Sequence, residues 1–220
     1  MVVVDGASHD QTVPAAQAFD GRLAGLQVIV SPRAGVARQR NLGARASRGE
    51  WLVFLDADGL VEPNFIERLA RFITERQPQF FTAWSGPDSP AAGDALFARL
   101  INAYVEAAAL ARHALAPGGL MMMRRDLFER AGGFDESLSF GEDYDLTQRI
   151  TALGARLQIL RETVYAYSLR RMRKEGRPRF IWFYVQATAR TLVKRRALGH
   201  VPSYELGGQV FETQPPRAKS

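Results

Sequence analysis

Cysteine is absent from the chain of 220 residues, and so are long apolar runs. Without cysteine the protein can form neither a disulfide nor a thiolate metal site, which suits the cytosol. No segment reaches the ~18 consecutive apolar residues that a membrane-spanning helix needs. The start of the chain is unlike a secretory signal peptide, because Asp5, Gly6 and His9 interrupt its short apolar stretch. These features favour a globular protein of the cytoplasm, either free or bound to the inner face of the membrane.

Basic charge is concentrated near the C-terminus. Residues 161–220 contain 13 Lys and Arg against four Asp and Glu, although the whole chain carries a formal charge of only +6. A basic end on a near-neutral body indicates an anionic partner, either a membrane or a nucleic acid. Nucleic acid is not the expected partner, because the apolar cluster of residues 180–185 does not interleave aromatic rings with charges as a phosphate-tracking groove does.

The C-terminal segment predicts a structure of its own. Its apolar cluster, residues 180–185, lies between basic blocks at residues 170–179 and 194–196. This pattern predicts either an interfacial helix on a membrane surface or a helix that packs on the main domain with a basic outer face. We therefore expect a main domain of residues 1–168 and a basic, aromatic helical tail of residues 169–220.

Strand-like and helical patterns alternate before that tail. Such alternation predicts an α/β protein built on a sheet. The helical patterns cover residues 11–19, 64–73, 95–114 and 126–131, with a further small-residue helix that ends near Gly49. The strand-like runs are residues 2–4, 26–30, 51–55, 80–84 and 120–123.

The segment WLVFLDADG, residues 51–59, ends an apolar strand in two aspartates one residue apart. The unbroken apolar run predicts a strand that is buried on both faces of a sheet. Asp56 and Asp58 follow where this strand stops, and open α/β sheets place their ligands at the carboxyl ends of strands. A helix cap would explain one of the two aspartates more easily than both. The pair therefore indicates a ligand site.

Three segments, taken together, resemble one family. They are VVVDGASHDQT at residues 2–12, GVARQRNLGARASRGEWLVFLDADG at 35–59 and RRDLFERAGGFDESLSFGEDYDLTQRI at 124–150. Their order and spacing are similar to those of the bacterial family 2 glycosyltransferases with a GT-A fold. The resemblance implies an α/β, Rossmann-like fold, with a predominantly parallel sheet flanked by helices.

The resemblance makes Asp56 and Asp58 an Asp-x-Asp metal motif. In the family the second aspartate contacts the metal while the first lies nearer the nucleotide ribose. Asp58 is therefore the first candidate for the metal, and Asp56 is a candidate for both metal and nucleotide. The expected cation is Mg²⁺ or Mn²⁺, because a hard cation with oxygen ligands offsets the charge that a leaving diphosphate gains.

Three more residues are implied to bind the nucleotide. Asp5 ends the first strand where family members bind the base or ribose, although Gly6 replaces the second of the usual two aspartates. Arg40 and Asn41 match the family's Arg-Asn pair, whose arginine is expected near the nucleotide. Taken alone, Arg40 is interpreted as a solvated helix arginine. The expected donor is a nucleotide sugar, first of all a UDP-sugar, with GDP- and dTDP-sugars as alternatives.

The segment GEDYDL, residues 141–146, supplies the candidate catalytic base. By resemblance the base is Asp143, with Glu142 beside it. An inverting transfer needs a carboxylate that takes the proton of the acceptor hydroxyl, on the face opposite the leaving diphosphate. The structural alternative is an acidic helix start, and both roles can hold together. Asp145 would share a face with Asp143 only in an extended segment.

The resemblance implies a metal-dependent, inverting hexosyltransferase of cell-envelope glycan synthesis, with a glycan or lipid-linked acceptor and a peripheral place at the membrane. Two departures keep a non-catalytic nucleotide-sugar or partner-binding relative as the alternative. Family members have a strand and a helix before the strand that Asp5 ends, and this pair of elements has no counterpart here. The stretch VYAYSLRRMRKEG, residues 164–176, lacks the histidine that completes the metal site of many relatives.

Overall fold

The computed structural model describes residues 1–110, 114–138 and 140–176, and the apolar cluster of residues 180–185 lies outside these ranges. Within them, strands and helices alternate along the chain, as expected from the sequence. The helices are α1 (Thr12–Gln17), α2 (Val36–Ala46), α3 (Phe65–Arg76), α4 (Ala92–Leu110), α5 (Arg125–Arg130), α6 (Glu142–Ala152) and α7 (Arg170–Glu175). The strands are β1 (Val2–Asp5), β2 (Gln27–Val30), β3 (Trp51–Leu55), β4 (Leu60–Val61), β5 (Phe80–Pro87), β6 (Leu120–Arg124) and β7 (Leu157–Tyr167).

The strands form two sheets. β1 and β2 pair in parallel, and the other five strands lie in the order β3-β6-β5-β7-β4. In the larger sheet β5 and β7 are parallel, whereas β3 with β6, β5 with β6, and β4 with β7 are antiparallel. The α/β class is confirmed, with a mixed sheet in place of the predominantly parallel one expected. Strand direction was not predictable, because the apolar pattern of a strand is the same in both directions.

Hydrophobic clusters cover both faces of the larger sheet, because successive side chains of a strand point to opposite faces. One cluster contains the fully buried Met121 and Met123 of β6, with Leu146 of α6. The other contains Met122 of β6 together with Phe65 of α3. The sheet is therefore the central layer between α6 on one side and α3 on the other.

Strand β3 is buried on one face only. Leu52 and Phe54 are buried, whereas Val53 is 39% and Leu55 is 42% exposed. The prediction of a strand buried on both faces was therefore wrong. Within the described ranges β3 is the end strand of the larger sheet.

Helix α2 connects the two sheets. The side-chain amide of Gln39 donates a hydrogen bond to the Val4 carbonyl in β1 at 2.9 Å. On the same helix, Ala44 belongs to the hydrophobic cluster that contains Leu52 of β3. The helix thereby holds Arg40 next to the carboxyl end of β3, where the candidate site lies.

Phe54→Ala tests the one-sided burial of β3. The Phe54 ring centroid lies 5.4 Å from that of Phe128 and 5.1 Å from that of Phe134. We expect this change to lower the free energy of unfolding by about 3–5 kcal/mol, as truncation of a buried phenylalanine does. Val53→Ala, on the exposed face of the same strand, should cost less than about 1 kcal/mol. Similar losses in urea denaturation would mean that both faces are buried.

Candidate functional site

The side chain of Arg40 joins several of the candidate residues. Its Nη1 donates to Glu142 Oε1 at 2.9 Å, and its Nη2 donates to Asp56 Oδ1 at 2.8 Å and to the Gly118 carbonyl at 2.7 Å. The guanidinium carbon also lies 5.4 Å from the centroid of the Phe134 ring. Only 11% of the side chain is exposed, so Arg40 is a buried bridge and not the solvated helix arginine that the pattern of α2 alone favours.

Opposite charges keep the buried Arg40 ionised. Burial by itself lowers the pKa of a guanidinium, but the carboxylates of Asp56, Glu142 and Asp143 outweigh burial and raise the pKa of Arg40 above its ordinary value. A buried ion pair offsets its desolvation only when its hydrogen bonds are complete. The three hydrogen bonds of Arg40, two of them to carboxylates, offset part of the cost of its desolvation.

Backbone groups hold Asp143 at the start of α6. Its Oδ2 accepts the Gly118 N–H at 2.8 Å, and its Oδ1 accepts the Tyr144 N–H at 2.8 Å. The acidic segment thus begins a helix, as the structural alternative for these residues proposes. Asp145 lies on another side of this helix and pairs with Arg149 at 2.6 Å.

Burial raises the pKa of both carboxyl groups of the candidate base. For Asp143, burial outweighs the opposing effects of Arg40 and the two backbone hydrogen bonds. For Glu142, the charge of Asp143 adds to the effect of burial. A carboxylate with a raised pKa is a stronger proton acceptor. The start of α6 therefore has the electrostatic property that a general base needs.

Two glycines allow this close packing. A Cβ on Gly118 would lie 2.9 Å from the Arg40 Nη atoms, and a Cβ on Gly119 would lie 3.1 Å from Tyr165 Oη and 3.3 Å from Asp56 Oδ2. Neither glycine, nor Tyr165, was predicted to belong to the site. The turn signal of the sequence APGG before β6 marks the two glycines, whereas no local pattern marks Tyr165.

Asp56 and Asp58 lie on a turn that leaves their carboxylates accessible. The Gly59 N–H donates to the Asp56 carbonyl at 3.2 Å, and the two aspartate side chains are 44% and 50% exposed. Burial, followed by the charge of Asp56, raises the pKa of Asp58. Two carboxylates that repel each other are a donor set that fits a hard divalent cation, with phosphate and water as its other ligands. The described ranges contain no group of three or more His, Cys, Asp and Glu that could enclose a metal.

Asp5 lies at the end of β1, in the smaller sheet. It is 4% exposed, and its Oδ2 accepts the Ser8 N–H at 2.9 Å. Its Oδ1 is buried and has no hydrogen-bond partner among the described residues. An orphaned acceptor of this kind fits a donor group on a bound molecule, such as a hydroxyl or a ring N–H.

Asn41 holds a turn. Its Nδ2 donates to the Phe134 carbonyl at 2.9 Å and to Glu136 Oε1 at 3.0 Å, and its Oδ1 accepts the Phe134 N–H at 2.9 Å. The turn contains Gly133, whose φ of +69° favours glycine. Asn41 therefore positions the segment that carries Phe134 beneath the Arg40 guanidinium.

Solved structures with the same fold are glycosyltransferases. S. aureus TarS 1-349 in complex with UDP-GlcNAc has a TM-score of 0.60 and 23% identity, over 77% of this chain and 49% of that one. The mannosyltransferase PcManGT from Pyrobaculum calidifontis, in complex with GDP-Man and Mn²⁺, has a TM-score of 0.59 and 23% identity, over 75% of this chain and 46% of that one. The likeness defines the fold, which is that of the GT-A glycosyltransferases.

The amino-acid sequence identifies the family. Residues 1–132 match the model of Glycosyl transferase family 2, and the chain belongs to this family, which confirms the resemblance. The succinoglycan biosynthesis protein ExoO of Rhizobium meliloti is 29% identical over 182 residues, 77% of this chain and 52% of ExoO. The pre-mycofactocin glycosyltransferase of Mycobacterium tuberculosis is 28% identical over 148 residues, 64% of this chain and 32% of that protein. The chain thus spans about half the length of these relatives or less.

Arg40→Met should destabilise the protein by about 3–5 kcal/mol at pH 8, because it leaves buried carboxylates without their counter-charge. The loss should be smaller at pH 5. Without Arg40 the pKa values of Asp143 and Glu142, already raised in the folded protein, rise further. A carboxyl group with a raised folded pKa contributes stability at low pH, and this stability is lost as the pH rises through that pKa. Urea denaturation at both pH values measures the difference.

Arg45→Met is the matched control for this prediction. Arg45 is exposed on the same helix, so its substitution should change the free energy of unfolding by less than about 0.5 kcal/mol at either pH. A loss for Arg40→Met that is small, or equal at the two pH values, would contradict the view that Arg40 neutralises a buried carboxylate cluster.

Proposed function

We propose that this chain is a metal-dependent, inverting glycosyltransferase that moves a sugar from a nucleotide-diphosphate donor to an acceptor hydroxyl. The observation that carries the proposal is the Arg40 bridge, which connects Asp56 of the candidate metal turn to Glu142 beside the candidate base. Such a transfer needs both groups close together, because the leaving diphosphate and the attacking hydroxyl meet at one sugar carbon. Membership of glycosyl transferase family 2 supports this reaction class.

Asp58 and Asp56 would hold Mg²⁺ or Mn²⁺. The bound cation offsets the negative charge that develops on the leaving diphosphate. Asp58 is the proposed main ligand, because Asp56 Oδ1 is engaged by Arg40 at 2.8 Å whereas Arg170 lies at the longer distance of 4.0 Å from Asp58 Oδ2. The complex of the structural neighbour PcManGT with GDP-Man and Mn²⁺ supports a metal-assisted reaction.

Asp143 is the proposed general base, with Glu142 as its partner. The two backbone hydrogen bonds orient the Asp143 carboxylate, and each oxygen keeps a lone pair with which it can accept a proton. As the acceptor oxygen attacks the sugar carbon from the side opposite the diphosphate, its proton passes to Asp143. The bond to the diphosphate breaks on the other side, so the configuration at the carbon inverts.

Asp5 is the proposed contact to the ribose or base, because its unpartnered Oδ1 can accept a hydrogen bond from either. Arg40 contributes positive charge near the nucleotide, and Asn41 contributes by holding the turn that supports Arg40. A UDP-sugar is the first donor to test, since TarS was solved with UDP-GlcNAc. GDP- and dTDP-sugars are the next candidates.

Calorimetric titration with UDP, GDP and dTDP, each with and without Mn²⁺, tests the donor site. We expect metal-dependent binding of one nucleotide. Asp58→Asn should weaken it by about 100-fold, since loss of even an outer partner of a metal site costs roughly 10–100-fold. Asp143→Asn should leave binding nearly unchanged but lower kcat for transfer by about 10²–10⁴-fold, the contribution of a general base.

The folded state of each variant is checked by circular dichroism and urea denaturation. A well-folded wild-type protein that binds none of the three nucleotides would contradict the proposal. Metal-dependent binding without transfer or hydrolysis, across a broad panel of donors and acceptors, would instead favour the alternative of a non-catalytic nucleotide-sugar or partner-binding relative.

We further propose that the acceptor is a glycan or lipid-linked saccharide of the cell envelope, reached from the cytoplasmic face of the membrane. The basic charge of residues 161–220 supports this. None of the helices in the described ranges is long and apolar enough to cross a membrane. The proposed division at residue 168 assigns α7 to the tail, and Leu169 and Met172 of this region are buried, so the tail begins packed against the main domain.

Vesicle flotation tests the membrane part of the proposal. The full chain should float with vesicles that contain anionic lipid and much less with neutral vesicles. Changing Lys194, Arg195 and Arg196 to glutamine should weaken binding by about 100-fold, because each basic residue near an anionic surface contributes about 1 kcal/mol. The matched control changes Arg45, Arg48 and Arg76, which are exposed on the main domain. Flotation that does not depend on anionic lipid, or equal losses in both triple variants, would rule out a basic membrane-binding tail.

A further inference from the structure

Tyr165 of β7 packs against the turn that carries Asp56 and Asp58. A Cβ added to Gly59 would overlap the edge of the Tyr165 ring, so the ring lies directly on the glycine backbone. Tyr165 is 3% exposed. The ring therefore forms the surface on which the end of the Asp-x-Asp turn rests.

The backbone of Tyr165 is fixed from both sides. It pairs with Val61 of β4, the strand that follows the turn, and with Ser85 of β5. The Glu62 N–H also donates to the carbonyl of the preceding Val164 at 3.1 Å. Because the ladder fixes the backbone, the ring can leave Gly59 only by rotation of its own side chain, and the burial of Tyr165 opposes that rotation. The contact therefore restricts the position of the turn.

The hydroxyl of Tyr165 and one carboxylate oxygen of Asp56 both lie beside Gly119. A Cβ on Gly119 would lie 3.1 Å from Tyr165 Oη and 3.3 Å from Asp56 Oδ2, so both atoms border one position. A tyrosine hydroxyl carries its proton at neutral pH and can therefore act as a hydrogen-bond donor. Within the described ranges this hydroxyl takes part in no hydrogen bond.

We propose that Tyr165 is a positioning residue for the donor diphosphate: its ring sets the Asp56–Asp58 turn through Gly59, and its hydroxyl donates a hydrogen bond to a phosphate oxygen held there. This inference rests on the proposed function. When a phosphate oxygen is bound beside the two carboxylates, the Tyr165 hydroxyl can donate a hydrogen bond to it. This bond is strong, because a hydrogen bond to a charged oxygen is stronger than one to a neutral oxygen.

Two substitutions separate the hydroxyl from the ring. Tyr165→Phe keeps the ring and should weaken Mn²⁺-dependent UDP binding by about 10-fold or more, with little change in urea denaturation. Gly59→Ala inserts a methyl group between turn and ring, and should weaken the same binding by about 100-fold, as a small displacement of a reacting group does. Tyr167→Phe is the matched control on the same strand, since the Tyr167 hydroxyl is buried without a partner among the described residues, and UDP binding should stay unchanged.

A double-mutant cycle tests the contact itself. Tyr165→Leu removes the edge of the ring. In that background Gly59→Ala should weaken Mn²⁺-dependent UDP binding by less than about a further threefold. In urea denaturation, which needs no donor, Gly59→Ala should likewise lower the free energy of unfolding less in the Tyr165→Leu background than in the wild type.

The outcomes distinguish this inference from the proposed function. A wild-type protein that binds no nucleotide with Mn²⁺ overturns both. If the wild type binds, equal binding by Tyr165→Phe, or an equal effect of Gly59→Ala in the two backgrounds, overturns the role of Tyr165 alone.

Discussion

The buried guanidinium of Arg40 is the contact on which the candidate site depends. It bonds to Asp56 after β3, to Glu142 at the start of α6 and to the Gly118 carbonyl before β6, which come from three separate segments of the chain. An ammonium group would suit this position less well, because the planar guanidinium directs several N–H donors to different acceptors at once. One side chain therefore sets the position of the candidate metal turn relative to the candidate base, and neither can shift independently of the other.

Glycine at three backbone positions allows these groups to converge. Gly118 faces the Arg40 guanidinium, Gly119 faces the Tyr165 hydroxyl, and Gly59 lies on the Tyr165 ring. At each of them a Cβ would come within 3.1 Å of a functional side chain or closer. The backbone at these positions thus serves as a wall of the site. Gly118 has two roles here. Its lack of a side chain lets the Arg40 guanidinium come close, and its carbonyl accepts a hydrogen bond from that guanidinium.

Local structure was predictable where a segment carries its own signal. β3 has the predicted bounds, Trp51–Leu55, and the acidic segment GEDYDL begins a helix. The antiparallel direction of β6 and the exposure of Val53 were not predictable, since both depend on which distant segments pack together. The site shows the same division. The resemblance named Asp56 and Asp143 as candidates, whereas Tyr165 reaches the turn only through the pairing of β4 with β7, for which the sequence has no local signal.

The charges around Arg40 also bear on the timing of the proposed reaction. Before transfer, the guanidinium offsets the carboxylates of Asp56, Glu142 and Asp143 together. As the bond to the diphosphate breaks, negative charge grows on the leaving group, and like charge nearby raises the pKa of a carboxyl group. In the proposed reaction Asp143 would therefore become a stronger proton acceptor at the stage at which the attacking hydroxyl becomes acidic. Because uptake of that proton would remove one negative charge from the cluster, the departure of the diphosphate and the activation of the acceptor would favour each other.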